Sequence, residues 1–453
     1  MRDRPDQQFW NPAVETLSRD KMRALQLAKL RDQVAYNHAN SSFYRGKFAD
    51  AGAKPEDMRS FKDFAELPVM TKEEHRQTQE QSLAEFGNPH ALLGCAPAAD
   101  IVRINATSGT TGVPTLYTLT QHDVDVVNEM HARKYWRAGI RHGDVMLQAV
   151  SLSMFTGGLP LSQGIMNMGA CVVPVGIEGG TKRVLEFAEL TRPTALIATP
   201  SFGQYLIEEC PKLIGRPAET LGFKWFFCVG EPGGGDPQVR KALSDGFNAK
   251  VFDHTGGGHA FHAISADEPA EVYSGMYLVS EDHCLLELRS PESGKPVALE
   301  DGAEGEMIWT FLDWRGGPLM RYAVGDIARI HTRPNDSGWP GIRFKIIGRA
   351  DDMLIVKGVN VYPSAIQSAI MAFAPQVTGA FRILLDRPGP KVTPPLHIRL
   401  ELGQGTSDVA SLETAMGAYF RTNLRLTPKF EWVAPGSLPR EAAKTRFIEI
   451  ATR

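Results

Sequence analysis

At 453 residues, with 43% hydrophobic and 22% charged side chains, the chain is long enough to bury a large core. That excludes a disordered segment or a small disulfide-stapled scaffold. Its 49 Lys and Arg against 52 Asp and Glu leave a net charge of −3, so no charge surplus points to nucleic acid or an anionic membrane.

The polar start, Met1 to Gln8, holds no apolar stretch, so no signal peptide is expected. No uncharged apolar run reaches the roughly 18 residues of a transmembrane helix. Ser18 is placed to cap a helix with Leu27, Leu30 and Val34 on its apolar face. After the break at Pro68, Thr71 and Glu74 form a capping-box pattern. From about residue 100, short apolar runs alternate with helical stretches. Val145–Val150, Cys171–Val175, Ala195–Ala198 and Trp225–Val229 read as strands, and Thr181–Leu190 and Pro237–Phe247 as helices. This predicts an α/β fold with a mostly parallel sheet, whose ligands sit in the loops at the strands' carboxyl ends. Those loops are Ser151–Pro160, Thr199–Ser201, Gly230–Gly235 and His254–His259. Tyr277–Ile347 is β-rich. The polar stretch Gly348-Arg349-Ala350-Asp351-Asp352 precedes a small α+β module with strands at Ala380–Leu385 and His397–Leu402 and a helix at Val409–Arg421. We therefore expect two domains, 1–350 and 351–453.

The five cysteines, Cys95, Cys171, Cys210, Cys228 and Cys284, form no Cys-x-x-Cys pair. They fit a reducing cytoplasm better than a disulfide framework or a zinc ribbon. His254, His259, His262, His283 and Cys284 offer zinc-type ligands, but their spacing does not match a compact site.

Four stretches carry chemistry. Thr107-Ser108-Gly109-Thr110-Thr111-Gly112 combines hydroxyls with bare backbone N–H groups that can wrap a phosphate, without being a Walker loop. Arg321-Tyr322-Ala323-Val324-Gly325-Asp326 puts a carboxylate after a glycine turn, suited to a ribose diol. The third is Gly348 to Pro363 and the fourth is Leu438-Pro439-Arg440-Glu441-Ala442-Ala443-Lys444. In this order and at these separations they resemble the acyl-adenylate-forming superfamily of acyl-CoA synthetases, adenylation domains and luciferases. Phe9-Trp10-Asn11-Pro12, Phe155-Thr156-Gly157-Gly158-Leu159, Gly230-Glu231-Pro232 and Gly358-Val359-Asn360-Val361-Tyr362-Pro363 are similar to its phenylacetate–CoA ligase branch.

The resemblance implies a large N-terminal domain and a small mobile C-terminal one. It implies a ligase using ATP, Mg²⁺ and coenzyme A on an aromatic or arylacetic acid, acting as a monomer or homodimer. Thr107 to Gly112 would hold the β- and γ-phosphates. Gly230, Glu231 and Pro232 would border the adenine, and Asp253, His254 and Thr255 would belong to the same nucleotide site. Asp326 would bind the ribose, with Arg349 beside it. Asp351 would be the hinge, Gly358 would line the thiol channel, and Lys444 would bridge carboxylate and α-phosphate. Phe155, Gly157, Gly256, Gly257 and His259 would shape the acid pocket. Transfer to a carrier-protein thiol or an amine, and a non-catalytic nucleotide- or acyl-binding homologue, are the alternatives.

Three positions depart from the family. Val113 stands where the phosphate loop usually has lysine, and Glu441-Ala442-Ala443 replaces Ser-x-Gly before Lys444. His259 stands where the family has a glutamate that helps hold Mg²⁺. Imidazole suits Mg²⁺ poorly, so His259 is expected to serve the acid in place of the metal.

Overall fold

Capping and periodicity account for the N-terminal helices. In the computed structural model, which describes residues 6–107, 114–255, 263–357, 359–387, 389–438 and 447–450, Ser18 accepts from the Lys21 amide to cap the helix Arg19–Asn40. Thr71 and Glu74 close a reciprocal capping box on the helix Lys72–Phe86. Leu30 and Val34 are buried, but so are Gln26, Gln33 and Asn37 on the same helix. Two of their amides dock the helix onto distant backbone: Gln26 Nε2 donates to the Glu281 carbonyl at 2.7 Å, and Gln33 Nε2 to the Trp314 carbonyl at 2.8 Å. Apolar spacing does not reveal such a face, because its buried members are polar and satisfied.

A hairpin of β1 (Ile101–Thr107) and β2 (Thr115–Thr120) follows, pairing Thr107 with Thr115. The βαβ units then build β3 (Val145–Gln148), β4 (Cys171–Val173), β5 (Ala195–Ala198), β6 (Trp225–Cys228) and β7 (Lys250–Thr255), parallel in the order β4-β3-β5-β6-β7. The parallel order stops at β7. There β8 (Ala263–Ser265) and β9 (Met276–Leu278) pair antiparallel, and the sheet runs on into β10 (Cys284–Arg289), β11 (Pro296–Val297), β12 (Glu304–Phe311), β13 (Tyr322–His331) and β14 (Arg343–Arg349). The expected parallel sheet and the β-rich stretch are thus halves of one twelve-stranded mixed sheet, order β11-β10-β12-β13-β14-β9-β8-β7-β6-β5-β3-β4.

Beyond residue 350 come β15 (Leu354–Val356), β16 (Val359–Val361), the helix Pro363–Met371, β17 (Val377–Leu385), β18 (Lys391–Val392), β19 (Leu396–Leu402), the helix Val409–Leu424, β20 (Pro428–Val433) and β21 (Ile448–Ile450). Leu354, Ile366, Phe381, Ile398, Met416 and Phe420 centre a separate hydrophobic cluster. The C-terminal part still touches the large one. Met371 joins the cluster around Leu206, Phe226 and Leu243, and Ser364 Oγ donates to the Ile347 carbonyl at 2.6 Å. A Cβ on Gly348 would lie 2.2 Å from the Tyr362 ring, so only glycine permits that approach. Among the described residues no helix is long and apolar enough to cross a membrane.

Candidate active site

The loop after β6 is held from three directions. Gly234 lies so close to Asp253 that an added Cβ would sit 2.4 Å from its Oδ1. The Gly234 carbonyl accepts from Arg240 Nη1 at 3.2 Å, and the Gly235 carbonyl from Lys345 Nζ at 2.9 Å. Asp253 Oδ2 accepts from the Tyr273 hydroxyl at 2.7 Å. Burial raises the Asp253 pKa, with the Tyr273 bond pulling the other way. Pro232 and Gly230 belong to the same turn, and Gly230 has φ +88°. Glu231 points elsewhere. Its carboxylate accepts from the Ser201 amide at 2.7 Å, at the N-terminus of the helix Pro200–Ile214. That places a negative charge at a helix start, a favourable use of the carboxylate.

Asp326 follows Gly325 within a strand, not in a free turn. It lies inside β13, in a bulge where Val324, Gly325 and Asp326 stand opposite Met307 of β12. Gly325 takes φ +86°, and its carbonyl accepts from Ala350 N at 2.7 Å. The bulge re-aims the carboxylate and pins the start of the polar stretch after β14. Arg349 Nη1 donates to Asp326 Oδ1 at 2.8 Å, while its Nε and Nη2 grip both oxygens of Asp351 at 2.8 and 3.0 Å. Burial works against the guanidinium charge, but Asp326 and then Asp351 outweigh it, so the Arg349 pKa is raised. Burial likewise pushes Asp351 up, and the bonds from Arg349 bring it below the usual carboxylate range. The arginine of the Arg321-Tyr322 motif is structural. Buried, it donates to the Ala65 and Leu67 carbonyls and pairs with Glu287 at 3.2 Å.

On the other side of β6 and β7 lies the loop Ser151–Pro160. Gln148, buried at the end of β3, donates through Nε2 to the carbonyls of Gly157 and Gly158 at 2.8 and 3.0 Å. Its Oε1 accepts from Ser162 Oγ at 2.5 Å. Phe155 bridges to Ala106 of β1, so this loop adjoins the strand that leads into the Thr/Ser/Gly stretch. His254 corrects the sequence-based expectation. Strand alternation separates it from Asp253 and Thr255, and its ring packs on Tyr135 at 5.9 Å and Phe227 at 6.1 Å. It therefore shares no face with Asp253.

The structure thus brings together Gly230, Pro232, Asp253 and Thr255 at the ends of β6 and β7, and Asp326, Arg349 and Asp351 at the β13–β14 corner. Thr107 ends β1. Ser108, Gly109, Thr110, Thr111, Gly112, Gly256, Gly257, His259, Gly358 and Lys444 lie outside the described residues. Among the described residues no group of three His, Cys, Asp or Glu side chains is placed to hold a metal. Sequence reasoning missed Gln148, Tyr273, Arg240 and Lys345. Each acts on a backbone carbonyl or a carboxylate that no local pattern links to it.

A model of the AMP-binding enzyme family matches residues 44–310, and one of the AMP-binding enzyme C-terminal domain matches residues 358–449. The phenylacetate-coenzyme A ligase of Thermus thermophilus is 32% identical over 97% of this chain and 99% of its own length. Among solved structures, 2-hydroxyisobutyryl-CoA ligase in the postadenylation state with 2-HIB-AMP superposes with a TM-score of 0.88 at 27% identity, covering 98% of this chain and 93% of that one. With the same ligase in the thioesterification state, at the same identity and coverage, the TM-score is 0.70. The arrangement of this chain is thus closer to the postadenylation one. The chain belongs to the AMP-binding enzyme family, in its phenylacetate–coenzyme A ligase-like branch.

Proposed function

We propose that the protein is an AMP-forming acid–thiol ligase that activates an aromatic or arylacetic acid and hands the acyl group to coenzyme A. A carboxylate oxygen attacks the α-phosphorus of ATP, the bond to pyrophosphate breaks, and acyl-AMP remains. The thiol sulfur then attacks the acyl carbon and AMP leaves. The observation that supports this reading is the Asp326–Arg349–Asp351 constellation, in which one guanidinium joins the two carboxylates we assign to ribose binding and to the hinge.

The residue roles follow. Asp326 accepts from the ribose hydroxyls, oriented by Arg349. Gly230, Pro232 and the Gly234–Gly235 turn border the adenine, with Asp253, held by Tyr273, beneath them. Thr107 to Gly112 donate to the phosphates, and Lys444 bridges the two anions during adenylation, as electrostatic stabilisation of that step requires. Mg²⁺ would come with the triphosphate, because His259 stands where the family has its glutamate, and we assign His259 to the acid. We place the domain boundary at about residue 350. The C-terminal part turns about Asp351 after adenylation, which brings Gly358 to the thiol channel.

Pyrophosphate release from ATP, measured with a panel of aryl and arylacetic acids with and without coenzyme A, tests the reading. The expected result is acid-dependent release, with an acyl-CoA thioester formed when coenzyme A is present. Release without a thioester would point to a carrier thiol or an amine as acceptor. No release with any acid would mean a non-catalytic homologue.

A further inference from the structure

The helix Gln121–Arg137 buries three cations near its end, and it treats them differently. Arg133 pairs with Asp282 at 2.6 Å and Glu129 at 3.0 Å, and Arg137 with Glu15 at 2.8 Å. Lys134 is only 1% exposed, and among the described residues no carboxylate pairs with it. Its Nζ lies 4.6 Å from the centre of the Tyr135 ring. Tyr135 is itself fully buried, and its hydroxyl has no hydrogen-bond partner among the described residues. One turn earlier, buried His131 stacks on Tyr135 with centroids 6.3 Å apart. Glycine at position 164 lets the next helix press on His131, since a Cβ there would lie 2.3 Å from the histidine Cβ.

Tyr135 lies beside the carboxyl ends of β6 and β7, where the proposed acid pocket opens. Tyr135 meets Phe227 of β6 at 5.0 Å and His254 of β7 at 5.9 Å, just below the strand ends. Leu161 and Ile165, which follow the loop Ser151–Pro160, share their hydrophobic cluster. Buried polar groups are as a rule met by a partner, and a buried cation most of all. Here Tyr135 shares a hydrophobic cluster with Phe227, Phe252, Ile264 and Leu161. Burial accordingly pulls the Lys134 pKa well below its ordinary value, a penalty that an oxygen acceptor beside it would relieve.

We infer that Lys134 and Tyr135, backed by His131 and His254, form the far wall of the acid pocket and select acids that carry a second oxygen-bearing group remote from the reacting carboxylate. This rests on the acid–thiol ligase reading and names its substrate class more narrowly. A purely hydrocarbon ring would leave the Lys134 and Tyr135 donors unmet, whereas a site built to bond an oxygen rejects the analogue that lacks it.

The experiment compares kcat/KM for pyrophosphate release with phenylacetate, 4-hydroxyphenylacetate and 1,4-phenylenediacetate, using the full chain as wild type, Lys134→Met and Tyr135→Phe. The wild type is expected to prefer an oxygen-bearing acid. The preferred one identifies the group as hydroxyl or carboxylate. That preference should fall about 10–100-fold in Lys134→Met, the loss that follows removal of a charged hydrogen-bond partner, and by a smaller factor in Tyr135→Phe. Tyr135→Phe keeps the ring and its packing, so it reports even if Lys134→Met folds poorly. A wild type that uses phenylacetate as well as either substituted acid, or a preference that neither variant changes, overturns the inference and leaves the ligase reading intact. No release with any of the three acids overturns both.

Discussion

On the nucleotide side, Asp326 receives Arg349 at 2.8 Å, Asp351 closes the same guanidinium from its other edge, and Tyr273 caps Asp253. On the acid side, Lys134 and Tyr135 are more deeply buried, yet Lys134 has an aromatic ring where Arg349 has two carboxylates. The first region holds its charges in a prearranged network. That suits a ligand whose shape never changes, because electrostatic preorganisation costs no reorganisation when the ligand arrives. The second leaves its polar groups to be completed from outside, which suits the part of a reaction that differs between relatives. Substitutions on the nucleotide side should therefore scale activity by one factor for every acid, whereas those around Lys134 should reorder the acids.

The largest effect expected is that of Lys444→Ala. In the proposed mechanism this lysine bridges carboxylate and α-phosphate, so adenylation should fall about 100–1,000-fold, the range seen when one preorganised stabiliser is removed. The factor should be the same for each acid, and thioester formation from supplied acyl-AMP should survive. Equal loss of both half-reactions would remove Lys444 from that role. Next in size is Asp326→Ala, which takes an acceptor from the ribose and leaves Arg349 with Asp351 alone. ATP affinity, measured by calorimetry, should weaken about 10–100-fold. A KM change confined to the acid would show that the two regions are not separable in this way.

How much of this could be read in the sequence depended on range. Ala195–Ala198 and Pro237–Phe247 match the strand and helix expected, because an apolar run or a Pro-led amphipathic turn is a local signal. The cap at Ser18 and the box at Thr71 were legible for the same reason. The bulge at Val324–Asp326 was not, since it exists only relative to Met307 on the neighbouring strand. Nor was the fate of Glu231, whose carboxylate is claimed by a helix start thirty residues away. Asp326 and Arg349 were found through motif spacing, and the structure joins them across β13 and β14. Tyr135 and Lys134 gave no signal at all. Only the lack of a carboxylate beside Lys134 among the described residues, against its presence beside Arg133 and Arg137, sets them apart.

The smallest effect concerns stability and tests whether the nucleotide side also buries a group that resists charging. His75 is buried with its ring edge-on to Tyr117 at 5.4 Å and Tyr322 at 5.8 Å, next to the strand that carries Asp326. Burial lowers its pKa from 6.5 to about 3. A histidine depressed in the folded state contributes stability that is fully present above the unfolded pKa of 6.5 and is lost as pH falls toward 3, because the unfolded chain binds the proton first. The slope is at most about 1.4 kcal/mol per pH unit, so between about pH 6.5 and 5 the wild type should lose roughly 1–2 kcal/mol through this residue. His75→Phe keeps an aromatic ring between the two tyrosines and cannot titrate. Its denaturation midpoint should therefore fall less over that interval than the wild-type midpoint does. Parallel curves for the two proteins would mean that His75 is protonated without penalty. In that case the floor under the nucleotide side is open to water, and only the acid side would bury a titratable group against its charged form.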